Sequence, residues 1–359
     1  MRQLLDAVAE AGFRNAVLFI LLAVVGAFFV LTVLFSVSAV ALRQRHLRRE
    51  RRRTQLAERW QEPVLMAVAD PEDVTAFAPL IEEKNRLRFV GFVLEYARRV
   101  RGEERVVLRQ LARPHLELVA TRADSKREEV RARAIQTLGT LGLQDYAPRV
   151  IRALDDPSPL VAMVAARALA REETPEHAAE VLARLERFKG WDRRFLASML
   201  AAMGPDIAGT LRWGLGDSTV EPWTRALLAD ASYLQRDLQA ADVAARLIGE
   251  TEDRELRVSA LRLLSGVGRP EHAPAVRDLC RSDDPVVRAQ ALRALGTVGG
   301  AVDVPLFIEA MGDADSWAAL HAARGAAASG GTHALEHLGA SDDPRAALAR
   351  QILAEARVA

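Results

Sequence analysis

Cysteine is almost absent from this chain, since Cys280 is the only one among 359 residues. An intrachain disulfide and a cysteine-rich metal site are therefore excluded, and the scarcity suits a reducing compartment. Aromatic residues make up 5% of the chain, and strand-favouring residues are sparse, whereas Ala, Leu, Arg and Glu dominate. This composition predicts an all-α protein. Lysine is also rare, with three residues, and the preference for arginine indicates a GC-rich bacterial genome.

Positive and negative charges are unevenly distributed along the chain. Residues 1–62 carry ten Lys and Arg against five Asp and Glu, so residues 63–359 carry 39 against 43. A mildly acidic body is a poor candidate for non-specific nucleic-acid binding. We therefore predict no nucleic-acid partner.

A long uncharged segment lies near the N-terminus. Residues 16–42 are 27 consecutive uncharged residues rich in Leu, Val, Phe and Ala, and about 20 suffice for a helix to cross a bilayer. Seven arginines follow this segment directly: Arg43, Arg45, Arg48, Arg49, Arg51, Arg52 and Arg53. The positive-inside rule then predicts residues 1–15 outside the bacterial cytoplasmic membrane and everything after Leu42 in the cytosol. The same arginines are suited to contact anionic lipid head groups.

A cleaved signal peptide is the competing interpretation of this segment, because residues 39–41 have the small-residue cleavage pattern. The apolar run is longer than a typical signal sequence, residues 1–15 are acidic as well as basic, and the arginines oppose translocation. We therefore predict a single transmembrane helix followed by an Arg-rich cytosolic stalk over residues 43–62.

A repeated pattern begins after residue 80. Val-Arg or a near equivalent begins a helix, Ala follows four residues later, and a small residue, Leu and often Gly come next. Glycines at this point, such as Gly139 and Gly296, are predicted to end the helix. The copies start at Leu87, Val130, Val161, Phe195, Trp223, Leu256, Val287 and Trp317. A second helix is predicted sixteen residues after several of these starts, at Tyr146, His177, His272, Asp303 and His333. After the first gap the starts are 28–34 residues apart, a period typical of stacked helix pairs.

These residues resemble the HEAT repeat family in its short bacterial form, which includes the repeats of phycobilin lyases. The resemblance covers roughly residues 85–359 and implies an α-solenoid, a HEAT/armadillo-like superhelix with a concave inner surface. We expect HEAT-like repeats over residues 121–359. Over residues 63–120 we expect an irregular helical connection that contains the first repeat.

One motif suggests zinc chemistry. His333-Ala-Leu-Glu336-His337 matches the H-x-x-E-H signature, in which two histidines share a helix face and the Glu serves as base. The repeat alignment argues against this function, because it places His333 beside His272 at a helix start and His337 beside Phe307 in the core. We therefore predict no metal, no cofactor and no catalytic residue.

Other HEAT-like enzymes fit the sequence poorly. Deoxyhypusine hydroxylases hold a di-iron site with His-Glu dipeptides, and here no His is followed by Glu. A HEAT-type DNA glycosylase needs a basic, aromatic-lined face, whereas the body of this chain is acidic. Cys280 aligns with Leu154 and Met311 and is predicted to be a buried hydrophobe. A phycobilin lyase is not excluded by motif, although a membrane anchor is unexpected in one.

A basic stretch adjoins the predicted stalk. Residues 84–133 hold 14 Lys and Arg against seven Asp and Glu. Arg105, Arg109 and Arg113 follow an i, i+4, i+8 spacing that places them on one helix face. This face is either an ordinary solvated surface or a membrane-proximal surface that meets lipid head groups or an acidic partner.

Together these features predict a non-enzymatic, membrane-anchored HEAT-repeat scaffold that binds or positions a partner protein at the cytosolic face. Its layout resembles bacterial proteins found beside membrane-embedded polysaccharide synthases, which implies a partner of that class. The alternative is a HEAT-repeat enzyme or carrier that acts on a small ligand such as a tetrapyrrole, in the manner of a lyase.

Overall fold

The described part of the chain is almost entirely helical. The computed structural model describes residues 31–40, 43–44, 50–51, 54–69, 81–100, 102–171 and 174–358. These residues form α-helices, short 3-10 helices and turns, and no strand occurs among them. The prediction of an all-α protein is confirmed.

The predicted membrane helix falls mostly outside the described residues, as does the segment 1–15. Residues 31–40 are helical with exposed side chains. Within the described ranges, no helix is both long enough and apolar enough to cross a membrane. Arg43 and Arg51 are helical and exposed. The other arginines of the cluster lie outside the described residues: Arg45, Arg48, Arg49, Arg52 and Arg53.

The chain divides into two compact units, Met1–Leu116 and Glu117–Ala359. The first unit contains helices α1, Arg86–Ala97, and α2, Glu103–Ala112. A 3-10 turn at Arg113–His115 follows α2. Helix α1 begins one residue before the repeat copy predicted from Leu87. The irregular connection predicted over residues 63–120 stays a prediction.

An aromatic cluster holds the first unit together. Trp60, on the helical residues 54–69, is buried and meets Phe89 of α1 edge-on, with ring centroids 5.4 Å apart. Phe89 also meets the buried His115 ring edge-on at 5.6 Å. Burial of large aromatic side chains is a major source of core stability, so these contacts attach the helical residues 54–69 to α1.

The second unit opens with a short helix, α3, Glu117–Ala120. It then consists of helix pairs in chain order, followed by a last unpaired helix. The first helices of the pairs are α4 Glu128–Leu141, α6 Pro159–Leu169, α8 Arg193–Ala201, α10 Pro222–Gln235, α12 Arg254–Val267, α14 Pro285–Val298 and α16 Ser316–Ala328. The second helices are α5 Leu143–Arg152, α7 Pro175–Leu182, α9 Ala208–Gly216, α11 Ala240–Glu250, α13 Ala273–Arg277, α15 Val304–Ala310 and α17 Thr332–Gly339. Helix α18, Ala346–Val358, ends the array.

Four of the seven first helices, α8, α12, α14 and α16, begin at aspartates that the sequence places just before them. The carboxylates of Asp192, Asp253, Asp284 and Asp315 each accept a hydrogen bond from the backbone N–H three residues later, at 2.8–3.2 Å. Such a side chain satisfies one of the four backbone donors that a helix start leaves unpaired. These caps explain why the helices begin within two residues of the predicted starts.

Successive first helices pack directly on one another. Helix α4 packs on α6. From α8 onward each first helix packs on the next one in the chain: α8 on α10, α10 on α12, α12 on α14, α14 on α16, and α16 on the final helix α18. Two glycines, expected from the sequence to end helices, instead lie within α4 and α14 at these contacts. A Cβ on Gly139 would lie 2.3 Å from the Cβ of Ala168, and one on Gly296 would lie 3.1 Å from the Cα of Gly325. Both glycines therefore permit close helix approach, and the expectation that they terminate helices was wrong.

The predicted repeat start in the last pair is one residue too early. Asp315 caps α16 through the N–H of Ala318, just as Asp284 caps α14 through Val287. Ala318 is fully buried whereas Trp317 is 63% exposed. Ala318, not Trp317, is therefore the structural equivalent of Val287.

This shift carries into α17. Leu338 is buried and His337 is exposed. Leu338, not His337, therefore occupies the core position that Phe307 fills in the preceding pair. The alignment of His337 with a core position was wrong, because it was counted from Trp317.

Partly buried ion pairs join the first helices to the turns between helix pairs. Arg288 donates through Nε and Nη2 to Asp313 at 2.5 and 2.9 Å, and through Nη1 to the carbonyl of Ser282 at 2.5 Å. Arg131 makes the same two-point contact with Asp156, at 2.9 and 2.8 Å. These side chains are only 12–20% exposed. Each arginine therefore ties its helix to the turn that begins the next pair.

Candidate interaction surface

The zinc-like motif does not assemble a site. His333, Glu336 and His337 are all exposed on α17. Within the described ranges, only one group of three potential metal ligands brings its atoms within 4.8 Å of one another, and it does not include this motif. The motif therefore has the geometry of ordinary surface residues.

That one group consists of Asp242, Glu271 and His272, and an arginine occupies its centre. Arg269 donates to Asp242 at 2.8 Å and to Glu271 at 2.6 Å. The Nδ1 atom of His272 accepts the backbone N–H of Arg269 at 3.0 Å, so in the neutral ring Nε2 carries the proton and donates to Asp242 at 3.0 Å. No ring nitrogen of His272 is left for a metal ion, and the cluster secures the start of a helix.

The equivalent residue of the next pair confirms this structural function. Asp303 directly precedes α15, just as His272 directly precedes α13. Its carboxylate accepts the backbone N–H of Gly300 at 3.0 Å and also pairs with Arg277 at 2.5 Å. In both pairs, the side chain that directly precedes the second helix, His272 or Asp303, therefore accepts a backbone hydrogen bond and stabilises the start of that helix.

Cys280 lies in the core, as its alignment predicted. It is 3% exposed, and its Sγ lies 3.6 Å from the carbonyl of Val276. Burial, with a smaller contribution from the Asp303 carboxylate, raises the pKa of the thiol to about 12. A thiol that stays protonated at neutral pH is a poor nucleophile.

The predicted arginine stripe lies on α2 and the turn after it. Arg105 and Arg109 are half-buried, and Arg113 is exposed. The stripe is therefore not a fully solvated face, although Arg113 stays accessible at its end. Its contact with lipid or with an acidic partner stays a prediction.

A second row of arginines crosses the first helices of the second unit. Arg262, Arg293 and Arg324 lie on α12, α14 and α16. Each is the ninth residue after its capping aspartate, so the three share one position on three stacked helices. We call these three residues the arginine row.

The arginine at each end of the row forms an ion pair with a carboxylate. Asp230 on α10 pairs with Arg262 at 2.9 Å, and Glu355 on α18 pairs with Arg324 at 3.2 Å. Arg293, in the middle, is exposed and has no ion-pair or hydrogen-bond partner among the described residues. The guanidinium group of Arg293 therefore has all its donors available to a ligand, whereas those of Arg262 and Arg324 each use one donor for a carboxylate of the protein.

Exposed apolar side chains lie beside the row. Val286 and Trp317 are 44% and 63% exposed. Each lies seven residues before an arginine of the row, Arg293 or Arg324, and two helical turns return a side chain to the same face. On α16, His321 lies between Trp317 and Arg324 in the sequence and stacks on Trp317, with ring centroids 6.1 Å apart. Basic and apolar groups thus share one surface of α14 and α16.

The electrostatic effect of the row is visible at His321. Burial first, and then repulsion from Arg293 and Arg324, lowers the pKa of His321 below its ordinary value, with Asp315 opposing the shift. The ring is therefore neutral at pH 7. The positive charge of the surface comes from the arginines and not from His321.

The repeat pattern did not mark the arginine row as a surface. Arg262, Arg293 and Arg324 all lie inside the repeat copies, at the same distance from the capping aspartate in each. Their constant spacing along the chain was the available signal. The exposure of Trp317 was hidden because it was aligned with buried Val287.

Comparisons with known proteins agree on the repeats. A model of HEAT repeats matches residues 116–202 and 241–328. No curated protein matches the chain. The solved structures described below share at most 18% identity with this chain, and their TM-scores are below 0.5.

One similar solved structure is an engineered protein with 16% identity and a TM-score of 0.39, over 84% of this chain and 95% of that one. Another is karyopherin Kap121p bound to a segment of the phosphatase Cdc14p, with 15% identity and a TM-score of 0.46. It covers 81% of this chain, which spans only 40% of that one. A third is the complex of CpcE and CpcF of phycocyanin lyase from Nostoc sp. PCC7120, with 18% identity and a TM-score of 0.30, over 67% and 94% of the two chains. Residues 116–202 and 241–328 of this chain are thus similar to HEAT repeats.

Proposed function

We propose that this protein is a non-enzymatic scaffold, anchored in the cytoplasmic membrane, whose HEAT repeats bind and position a partner protein at the cytosolic face. The observation that carries the proposal is the surface of α14 and α16, where Val286, Trp317 and Arg293 are exposed together. Tryptophan and arginine are the residues most enriched at binding hot spots. None of these three side chains contributes to the core.

The polar clusters of the described residues support the non-enzymatic part of the proposal. Asp242, Glu271 and His272 are engaged by one another and by Arg269. The Cys280 thiol is buried. A catalytic site needs groups whose donors and acceptors are available to a substrate, whereas these groups are hydrogen-bonded to one another and to Arg269 or, for Cys280, buried.

The membrane part of the proposal comes from the sequence, and its topology can be tested. A reporter active only outside the cytosol should be inactive when fused after Ala359 and active when fused at Met1, because the arginines after residue 42 oppose translocation. Replacing all seven arginines of residues 43–53 with glutamine should give a mixed population. An active reporter after Ala359 in the wild-type protein would contradict the cytosolic location.

Binding of a partner can be tested by affinity purification of the full-length chain from native membranes in mild detergent. A stoichiometric protein partner, identified by mass spectrometry, should be retained by the wild type. Trp317→Asp should reduce its recovery at least about tenfold, since loss of a hot-spot contact costs about 2 kcal/mol. Val302→Asp is the matched control, because Val302 is also exposed, at 76%, but lies in the turn before α15.

Two results would count against a scaffold. Equal recovery with both variants would show that the surface of α14 and α16 is not the binding site. A stoichiometric bound tetrapyrrole or other small ligand in place of a protein would favour the lyase-like alternative. A membrane polysaccharide synthase is the partner class that the sequence resemblance implies, and mass spectrometry tests it directly.

A further inference from the structure

We infer that the arginine row binds an extended segment of a partner protein that carries a carboxylate at every third residue. This inference rests on the proposed scaffold function and specifies the chemistry of its partner. It depends on three properties of the surface: the spacing of the row, the carboxylates that close it, and the apolar side chains beside it.

The spacing of the row fits an extended peptide. Helices that pack against each other lie about 8–10 Å apart, so equivalent positions on α12, α14 and α16 repeat at that distance. A polyproline II segment has three residues per turn and rises about 3.1 Å per residue, so every third side chain lies on one face about 9 Å apart. A carboxylate at every third position can therefore meet Arg262, Arg293 and Arg324 in turn.

The charges around the row limit its occupant to a short anionic segment. Asp230 and Glu355 lie at the two ends. Asp230 is buried and also pairs with Arg193 at 3.0 Å, whereas Glu355 is exposed, so a longer anion would meet like charge beyond Arg324. The row spans two helix spacings, roughly 16–20 Å, which is the length of six or seven extended residues. This favours a protein segment over a nucleic acid, whose phosphates continue in both directions.

The guanidinium groups retain donors for such a segment. Arg262 uses Nη1 for Asp230, and Arg324 uses Nη2 for Glu355. A guanidinium has five N–H donors, so both can bind a second carboxylate. Arg293 has no ion-pair partner among the described residues and is positioned to bind the central carboxylate through two parallel hydrogen bonds.

The apolar side chains supply the rest of the recognition. Val286 and Trp317 lie two helical turns, about 10 Å, from Arg293 and Arg324 along their helices. With three residues per turn, the two side chains between successive carboxylates point to opposite sides of the bound segment, and one of these sides faces the apolar strip. The segment is therefore expected to carry apolar residues between its acidic ones.

The test uses the full-length protein in mild detergent and a fluorescein-labelled synthetic peptide. The peptide has glutamate at every third position, with proline and leucine between, over ten residues. Fluorescence anisotropy should show saturable binding that weakens as salt is added. Arg293→Gln should weaken it roughly tenfold, since a charge-assisted hydrogen bond is lost, and Trp317→Ala should weaken it by a similar factor.

Matched controls separate this contact from general charge attraction. Arg246→Gln removes an exposed arginine of α11, away from the row, and should change the affinity less than about twofold. A peptide of the same composition with its glutamates adjacent should bind at least about fivefold more weakly, because its carboxylates cannot reach three helices.

Four results would overturn the inference. These are equal binding of the two peptides, equal effects of Arg293→Gln and Arg246→Gln, no binding of either peptide, or tighter binding of single-stranded oligo(dT) at the same residues. If a protein partner is still recovered with Arg293→Gln, the scaffold function stands and this inference alone fails. If no protein partner is recovered but the peptide binds as described, the inference about the arginine row stands and the proposed scaffold function fails.

Discussion

Replacement of Asp313 with alanine is expected to lower the free energy of unfolding by about 3 kcal/mol. The carboxylate accepts two hydrogen bonds from Arg288 and a third, at 2.8 Å, from the backbone N–H of Asp315. Its removal leaves the Arg288 guanidinium, whose side chain is 20% exposed, without a counter-charge. Removing one partner of a buried pair costs about 3–5 kcal/mol, and the residual exposure places Asp313 at the lower end.

Urea denaturation of the full-length chain would measure this loss. Glu309→Ala is the control, because the pair of Glu309 with Arg281 is 3.4 Å long and both side chains are 72% exposed; it should cost no more than about 1 kcal/mol. The double variant Arg288→Met, Asp313→Ala should be more stable than Asp313→Ala alone, since no unpaired charge remains. Equal losses for Asp313→Ala and Glu309→Ala would refute this structural function.

The contribution of Asp313 also depends on pH. The Arg288 hydrogen bonds lower its pKa below the ordinary value. A carboxylate with a lowered folded-state pKa stabilises the protein above its unfolded pKa of about 4 and loses that contribution as the pH falls through the folded value. The wild type and Asp313→Ala should therefore converge in stability at strongly acidic pH.

The helix pairs were predictable because the same local sequence pattern recurs in each of them. The apolar spacing that begins at Val130, Val161, Leu256 and Val287 marks a buried helix face, and the structure begins each of these helices two residues earlier. The period alone then requires stacking, because one pair cannot bury its apolar face. A model of HEAT repeats, matched over two regions, agrees with this interpretation.

The last pair shows the limit of this reasoning. The repeat pattern predicts Trp317 as the start of the last copy, but the helix buries the small Ala318 instead. The capping aspartate, Asp315, fixes the true position and was visible in the sequence. A polar cap is thus a better guide to helix position than the first large apolar residue.

The surfaces and ion pairs could be predicted only in part. Arg288 and Asp313 are 25 residues apart and meet because α15 returns the chain to α14, a distance that no local pattern specifies. The arginine row has a constant spacing, but its exposure depends on which helix face the core leaves free. The sequence therefore indicated a binding protein without locating its surface.

Replacement of Phe307 with alanine is expected to have the largest effect, a loss of about 3–5 kcal/mol in the free energy of unfolding. Phe307 on α15 is fully buried, and its ring lies against Gly325 of α16, where an added Cβ would be 2.4 Å from the ring Cε1. Deleting the ring leaves a cavity at the contact between these two consecutive helices. The lost area and the cavity both destabilise the folded state.

The same contact predicts a coupling between the two positions. Gly325→Ala alone should destabilise by about 1–2 kcal/mol, because the clash with the ring exceeds the gain in helix propensity. In the Phe307→Ala background the added methyl group enters the vacated space, so Gly325→Ala should be neutral or stabilising there. Gly249→Ala on α11 is the control, since no atom lies within 4 Å of its added Cβ, and it should be neutral or slightly stabilising. Urea denaturation of the four proteins of the cycle gives the coupling, and purely additive losses would show that Phe307 and Gly325 are not in contact.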